Sequence, residues 1–208
     1  YFGLIGLLTS MGLLGRELDL HLFAPAALKD IIDLQLKVAD TVLPYPLHFH
    51  ALEEQSLLVS NDKFSVRAFP VSHRIPCWGF RFEQVKAPRR VSPEHARLNG
   101  IPATFFDRLK WGEDYTTKDG GVIPNEMVTE PAPKAKSYAY SAGTMYDESI
   151  IEQVKGVDLL YHETTYLKDL EDRALKRFHC TTHQAARIAE RAGAGRLIIG
   201  HFSSKYEK

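Results

Sequence analysis

Apolar and polar positions in the first part of the chain follow helical spacing in some stretches and strand-like alternation in others. Residues 2–15, FGLIGLLTSMGLLG, have apolar residues at helical spacing and predict a helix that stops at Gly15. Residues 18–25, LDLHLFAP, alternate like a strand, and residues 24–40 return to a helical period. Four further short strands, separated by turn residues, are predicted over 46–52, 56–60, 64–71 and 77–85.

The pattern changes between residues 86 and 136, where recurring prolines and the sequence KDGG predict turns. We expect an inserted arm over 86–136, with one short helix over residues 105–112. Regular patterns return after the arm as alternating strands and helices, predicted over 137–143, 146–156, 157–163, 181–193 and 196–201. This alternation indicates an α/β fold in which helices cover a sheet, and we treat residues 1–208 as a single domain that carries the arm.

Composition narrows the function classes. The 208 residues are 44% hydrophobic and 25% charged, as in an ordinary globular domain. The formal net charge is +0, so nucleic-acid binding would need a local basic patch. Two scattered cysteines do not make a disulfide framework and favour a reducing compartment. No apolar run approaches the roughly 20 residues that cross a bilayer. The chain opens in the middle of a pattern at Tyr1, and we expect the natural protein to begin earlier.

Three histidines come at or just after predicted strands: His73, His162 and His201. Ligands and catalytic groups in layered α/β proteins collect at strand ends. A single strand-end histidine is more often structural than functional, but three together favour a site. Glu163 follows His162 directly, and a carboxylate in that place can orient an imidazole.

The remaining histidines divide into one candidate and several structural positions. His179 precedes the helix that Thr181 or Thr182 would cap, and from a loop it could donate a proton to a leaving group. The sequence HFH at 48–50 lies on an alternating strand and is interpreted as structural, because no Asp-His pair follows it. His21 and His95 have no supporting context in the sequence.

Four segments carry a resemblance to a known family: PVSHRIPCWGF, SYAYSAGTMYDES, DLLYHETTYL and FHCTTHQAARIAERAGAGRLIIGHFSSKY. Together they closely resemble ribonuclease Z, the zinc-dependent endonucleases that process tRNA 3′ ends. The resemblance implies the αβ/βα sandwich of the metallo-β-lactamase fold, lacking its N-terminal strands here, with a tRNA-binding arm. It also implies precursor tRNA as substrate, two zinc ions per complete site, a homodimer and a cytoplasmic location, with neither DNA nor a membrane as partner.

The resemblance assigns roles to individual residues at the strand ends. His73 matches a ligand of one zinc, and His201 matches a ligand of the other. His179 matches the histidine that protonates the leaving oxygen in the family, and Glu163 matches the acidic partner that orients this histidine. The family reaction is metal-assisted phosphodiester hydrolysis.

Substrate-binding residues follow from the same resemblance. Ser203 and Lys205 lie where the family places a serine and usually an arginine near the substrate phosphate, and a lysine keeps the charge but not the bidentate geometry. In the arm, Arg108 and Lys110 are candidates for phosphate contacts, together with Arg89, Arg90 and Trp111. The alternative is that these are ordinary surface charges on a solvated loop.

Two departures from the family pattern concern the metal site. The family's His-x-His-x-Asp-His motif does not occur in this chain and would immediately precede Tyr1. Gly143 stands where the family has an aspartate that bridges the metals, and two zinc ions about 3.5–4 Å apart normally need an anionic bridge. We therefore expect the 208-residue chain alone to be inactive. Two alternatives remain: another hydrolase on the same fold, or a non-catalytic RNA-binding subunit.

Overall fold

The computed structural model describes residues 2–206, so Tyr1, Glu207 and Lys208 of the predicted 1–208 domain lie outside the described residues. The strands are β1 (Leu20–Ala24), β2 (Leu47–Ala51), β3 (Ser56–Ser60), β4 (Phe64–Val71), β5 (Cys77–Gln84), β6 (Arg90–Val91), β7 (Tyr115–Thr116), β8 (Val122–Ile123), β9 (Thr129–Glu130), β10 (Ser137–Ser141), β11 (Leu159–Glu163) and β12 (Leu197–Gly200). The α-helices are α1 (Leu4–Leu13), α2 (Ala27–Val38), α3 (Pro93–Leu98), α4 (Phe106–Lys110), α5 (Asn125–Val128), α6 (Ile150–Gln153), α7 (Glu171–Lys176) and α8 (Thr182–Ala192).

The chain forms two compact units. The first, called the sheet unit, comprises the residues up to Ser60, Ser65–Phe82 and the residues from Ser137 onward. The second, called the arm unit, comprises Asn61–Phe64 and Glu83–Lys136. No helix among residues 2–206 combines the length and hydrophobicity needed to cross a bilayer.

A six-stranded mixed sheet has the order β12-β11-β10-β5-β4-β3. Strands β10, β11 and β12 run parallel, and β3 pairs antiparallel with β4. In this register Ser141 lies opposite His162 and Glu163 lies opposite Gly200. The carboxyl ends of the three parallel strands therefore reach the same edge of the sheet.

Helices α6 and α8 supply the apolar layer that packs on these strands. Its buried members come from both helices, from β4, β10 and β11, and from the connection between α6 and β11: Phe69, Val71, Ala139, Ile150, Val154, Val157, Leu160, Ile188, Ala189 and Ala192. Helix α8 begins with a capping box between Thr181 and Gln184 and ends at Gly193, whose φ of 64° is left-handed. The predicted helix over 181–193 is confirmed, with Thr181 rather than Thr182 as its cap.

A separate two-stranded sheet pairs β1 with β2 in parallel, from Leu20 opposite Leu47 to Ala24 opposite Ala51. Helix α2 connects the two strands, as parallel strands require a crossover. The predicted helix over 2–15 is confirmed as α1, with Gly15 at φ 86° just after it.

Two helices of the sheet unit differ from the sequence prediction. The helix predicted over 146–156 is reduced to α6, because the Asp147 carboxylate accepts the backbone N–H of Ser149 at 2.8 Å and forms a turn there. Gly156, at φ 65°, turns the chain after the helix. Helix α7 was not predicted: its six residues are mostly charged, and only Ala174 among them is buried, so no apolar period marks it.

The arm unit has a small apolar core of its own. Ala96, Ile101, Leu109 and Val128 are buried together there. The buried Asn125 side chain donates to the backbone oxygens of Leu109 and Glu113 at 2.7 and 3.0 Å. The arm has three short helices and two small two-stranded sheets, where the sequence predicted one short helix.

We expect Leu109→Ala to open the arm unit selectively. Leu109 is 0% exposed, so its truncation leaves a cavity and lowers the free energy of opening by about 2–5 kcal/mol. The matched control is Leu98→Ala, because Leu98 is 77% exposed and its loss changes stability by only about 0.5 kcal/mol. Hydrogen exchange of the amides in residues 83–136 measures both. Equal protection in the two variants contradicts an independent arm core.

Candidate active site

The carboxylate of Glu163 lies at the end of β11 and is completely buried. One oxygen, Oε1, accepts the backbone N–H of Thr144 at 2.9 Å. The other, Oε2, accepts the hydroxyl of Thr165 at 3.0 Å and the backbone N–H of Cys180 at 3.4 Å. These donors come from three loops, so the carboxylate compensates its burial by tying the loops together.

His179 completes the set of donors to Glu163. Its Nδ1 lies 2.9 Å from Oε2, and because an ionised carboxylate only accepts hydrogen bonds, Nδ1 carries the proton. This contact fixes the tautomer and leaves Nε2 available for other chemistry. The side chain is 22% exposed, so a bound molecule can reach it from solvent.

The end of helix α7 positions His179. The backbone N–H of Phe178 bonds to the oxygen of Leu175, and the N–H of His179 bonds to the oxygen of Ala174, at 3.2 and 2.9 Å. This is the Schellman pattern, which requires a left-handed residue, and Phe178 adopts it at φ 59°. A helix that the sequence did not reveal therefore brings His179 to Glu163.

His201 follows β12 and lies beside this pair. Its Nδ1 is 3.1 Å from the Thr165 hydroxyl and 3.6 Å from Oε2 of Glu163, and its ring centroid is 5.2 Å from that of His179. The backbone of His201 is left-handed at φ 65°, a conformation that costs a residue with a side chain. Strained conformations of this kind concentrate at functional sites.

His73 approaches from the loop after β4. The oxygen of Ser72 accepts the N–H of Met145 at 2.8 Å, which joins this loop to the loop after β10. The ring centroids of His73 and His179 are 6.3 Å apart. Burial lowers the pKa of His73, and the neighbouring His179 lowers it further. Among the described residues, its buried Nδ1 has no hydrogen-bond partner.

Gly143, in the loop after β10, has no side-chain donor but has room for one. A Cβ added there would meet Cys77 Sγ at 3.8 Å, an ordinary van der Waals contact. The backbone φ of Gly143 is 66°, a left-handed value that aspartate tolerates better than most residues. An aspartate therefore fits sterically at this position, with modest backbone strain.

The donor set fits part of a metal site. Ligand atoms of Glu163, His179 and His201 lie within 4.8 Å of one another. However, the oxygen of Glu163 that faces the histidines already accepts His179, Thr165 and Cys180, so the carboxylate orients His179 rather than standing free as a ligand. With Gly143 offering no donor, residues 2–206 do not complete a two-metal centre.

Cys180 holds the same loops from inside the fold. Its buried thiol donates to the oxygen of Thr144 at 3.4 Å, and burial raises the pKa of that thiol well above its ordinary value. Sequence reasoning missed Cys180, Thr144 and Thr165 as positioning residues. Nothing in the sequence HETT distinguishes the two threonines. The hydroxyl of Thr165 donates to Glu163, whereas that of Thr164 donates to the backbone oxygen of Gly200.

Beyond His201 the chain turns back along the site. The N–H of Ser203 bonds to the oxygen of Thr165 at 3.1 Å, and the Ser203 hydroxyl accepts the N–H of Lys205 at 3.3 Å. Lys205 is exposed.

His162, by contrast, points into the core: its Nδ1 lies 2.8 Å from the backbone oxygen of Glu163, and burial lowers its pKa.

The arm residues Arg108 and Lys110 are both paired with acids of the arm unit. Arg108 forms a two-point ion pair with Glu113, which raises the arginine's pKa, and lies 4.5 Å from the ring centroid of Phe105. Lys110 Nζ lies 2.8 Å from a carboxylate oxygen of Asp107, and this contact lowers the pKa of the acid. Exposed pairs of this kind are screened by water and contribute little to stability, so the two cations exchange readily to other anions.

A cleft of about 330 Å³ opens in the arm unit next to these pairs. Its lining combines cationic, aromatic and proline residues: Lys86, Ala87, Pro88, Arg89, Lys110, Trp111, Gly112, Pro131 and Ala132. Trp111 is 77% exposed, whereas Arg89 is held by a 2.7 Å bond to the Thr129 hydroxyl.

Comparison with known proteins identifies the family. Residues 6–202 match the β-lactamase superfamily domain. The chain is 40% identical over 208 residues to the ribonuclease Z of Bacteroides thetaiotaomicron, covering 99% of this chain and 66% of that protein. It is 38% identical over 208 residues to the ribonuclease Z of Bacteroides fragilis strain YCH46, with coverages of 99% and 68%.

Solved structures agree with this result at the level of the fold. The short form of human tRNase Z superposes with a TM-score of 0.65 at 21% identity, covering 99% of this chain and 69% of the human one. The predicted metallo-β-lactamase fold is thereby confirmed. The chain spans about two thirds of the length of the curated relatives that it matches.

We expect Glu163→Gln to change the tautomer of His179. The amide N–H₂ that replaces Oε2 cannot accept a hydrogen bond from Nδ1 of His179, so the neutral ring carries its proton on Nε2 instead. The Cys180 N–H also loses its acceptor, at a cost of about 1–3 kcal/mol. Imidazole ¹⁵N NMR at about pH 8.5, above the ordinary titration range of histidine, measures the tautomer. Glu148→Gln, which alters an exposed carboxylate, is the control. Unchanged His179 shifts in the Glu163 variant would show that the carboxylate does not set the tautomer.

Proposed function

We propose, because this chain belongs to the ribonuclease Z family of the β-lactamase superfamily, that the protein is a zinc-dependent endoribonuclease that removes the 3′ trailer from precursor tRNA. The observation that carries the proposal is the hydrogen bond between buried Glu163 and His179 at the edge of the sheet. It keeps Nδ1 of His179 bonded to the carboxylate, so that Nε2, once it is protonated as well, is the nitrogen from which the ring acts as a general acid.

In this proposal His179 donates a proton from Nε2. Phosphodiester hydrolysis leaves an oxygen that gains negative charge, and a proton delivered from Nε2 of His179 neutralises it. Glu163 acts through His179: it keeps Nδ1 protonated and stabilises the positive charge when the ring takes up a second proton. Glu163 is thus a positioning residue, and His179 is the catalytic one.

Zinc, when bound, supplies Lewis-acid polarisation of the phosphate and an activated water. We assign His73 and His201 as ligands, supported by the unpartnered Nδ1 of His73 and by the half-exposed ring of His201. The 208-residue chain alone is inactive in this proposal. It contains no His-x-His-x-Asp-His motif, and Gly143 offers no bridging carboxylate.

Substrate recognition is assigned to two groups of residues. Ser203 and Lys205 follow His201 on the same loop, so an exposed ammonium and a hydroxyl are available to a phosphate held at the site. In the arm, Arg108 and Lys110 bind tRNA phosphates after exchanging their carboxylate partners, and exposed Trp111 offers a stacking surface.

We further propose a homodimer that acts in the cytoplasm on RNA rather than DNA. Cys77 and Cys180 are both free thiols, which is the usual state in a reducing compartment.

The arm cleft also supports a second candidate, a non-catalytic subunit that binds RNA, because its cations and Trp111 do not depend on a metal site.

We expect no cleavage of precursor tRNA by the 208-residue chain with added zinc, and full cleavage once the upstream segment and Gly143→Asp are both present. The upstream segment alone should remain at least ~100-fold slower, since even outer-shell changes at metal sites cost about 10- to 100-fold. Small esters and lactams serve as competing substrates. Robust turnover by the chain alone would contradict its predicted inactivity. Normal zinc content and a normal rate with the upstream segment but without the aspartate would contradict the role given to Gly143. Preferential hydrolysis of an ester or a lactam would contradict the tRNA assignment.

We expect Lys110→Ala to weaken tRNA binding and to reduce the slope of log K against log salt by about 0.7–0.9, the value of one lost phosphate contact. Lys155→Ala is the control, because Lys155 also pairs with an acid three residues away, although its side chain is 63% exposed and that of Lys110 is 44% exposed. Filter binding of precursor tRNA at several salt concentrations measures the slope. Equal slopes for the two variants would assign Lys110 to an ordinary surface role.

A further inference from the structure

Three imidazoles gather on one face of the β1–β2 sheet, and none of them belongs to the candidate active site. The register pairs His21 with His48 and Phe23 with His50. Paired residues and residues two apart share a face of a sheet, so all three histidines lie on the same side. The half-buried Leu22 and Phe49 lie on the opposite side.

The histidines are in contact rather than merely near one another. Nδ1 of His21 lies 2.9 Å from Nε2 of His50, and Nε2 of His48 lies 2.8 Å from a carboxylate oxygen of Asp19. The ring of His21 is stacked between the other two, with centroid distances of 4.8 Å to His48 and 5.1 Å to His50.

We propose that this group, the β1–β2 histidine cluster of His21, His48, His50 and Asp19, binds a late first-row divalent transition ion such as Zn²⁺, Ni²⁺ or Cu²⁺. Imidazole nitrogen is a preferred ligand of these ions. Bonds of about 2.0–2.1 Å place two ligand nitrogens about 2.9 Å apart at the right angle of an octahedral or square site, and about 3.3 Å apart at the tetrahedral angle of Zn²⁺. The two nitrogens of His21 and His50 are joined by a hydrogen bond of 2.9 Å, so they already lie near this separation, and a bound ion would replace the hydrogen bond.

Asp19 and His48 supply the rest of the site. Histidines that bind metals usually donate their second ring nitrogen to a carboxylate, which is the arrangement of Nε2 of His48 with Asp19. Nδ1 of His48 is then the ligand atom. The His48 side chain is 45% exposed and is stacked on the ring of His21, so in this proposal ion binding turns its ring from the stacked position toward the other two nitrogens.

An ion held there joins β1 to β2 through their side chains. These strands are paired only with each other in the sheets of residues 2–206, so the ion adds a link that the sheet lacks. Because the ion binds the folded chain, the unfolding temperature rises with its concentration.

Titration of the 208-residue chain with Ni²⁺, followed by calorimetry, tests the proposal without any cleavage assay. We expect His21→Gln, His48→Gln and His50→Gln each to lose one equivalent of Ni²⁺ relative to the parent chain. Asp19→Asn should weaken that equivalent about 10- to 100-fold. His95→Gln, an exposed histidine of the arm unit, is the matched control and should keep the parent stoichiometry. Circular dichroism in EDTA checks that all variants fold.

These variants leave the donors of the candidate active site unchanged. A lost equivalent of Ni²⁺ therefore reports binding at the β1–β2 histidine cluster and not at the candidate active site. Electron paramagnetic resonance with Cu²⁺ adds a direct readout, because several equatorial nitrogens give resolved hyperfine splitting. An unchanged stoichiometry in any of the three histidine variants overturns the proposal. An equal loss in His95→Gln overturns it as well, because binding would then be unspecific.

Discussion

A carboxylate removed from water must be compensated by hydrogen bonds, and Glu163 obtains them from three separate stretches of chain. Thr144 follows β10, Thr165 follows β11, and Cys180 precedes α8. The same oxygen that satisfies Thr165 and Cys180 also holds His179. Glu163 therefore serves both stability and chemistry. Its buried carboxylate draws the three loops together, and the loops in turn orient the imidazole of His179.

Left-handed backbone gives these loops their direction. Gly143, Phe178 and His201 adopt φ values of 66°, 59° and 65°, each at the point where a strand or a helix leads into the site. For the two residues with side chains this conformation costs about 1–3 kcal/mol, which the surrounding structure must offset. At Phe178 the compensation is visible in the two hydrogen bonds that end α7. The short turns that result bring the residues after each strand inward toward the buried carboxylate.

Much of the fold follows from periodicity, whereas the details of the site follow from three-dimensional register. Alternation and helical spacing were sufficient for β10, β11, β12 and α8, because each of these elements carries an apolar pattern of its own. Helix α7 is short and charged, so no pattern marked it. His21 and His48 are far apart in sequence, and no local signal reveals that a parallel register places them side by side. His179 and Glu163 were predicted from resemblance, but the donors around them were not.

The hydrogen bond from Cys180 to Thr144 has a consequence for the reactivity of the chain. Only the thiolate reacts quickly with alkylating reagents, and a buried thiol with a raised pKa forms very little of it. Cys180 is therefore protected while the loops around Glu163 remain joined, and it becomes reactive when they separate. The rate at which a reagent modifies this sulfur consequently records how often the site opens, independently of any substrate.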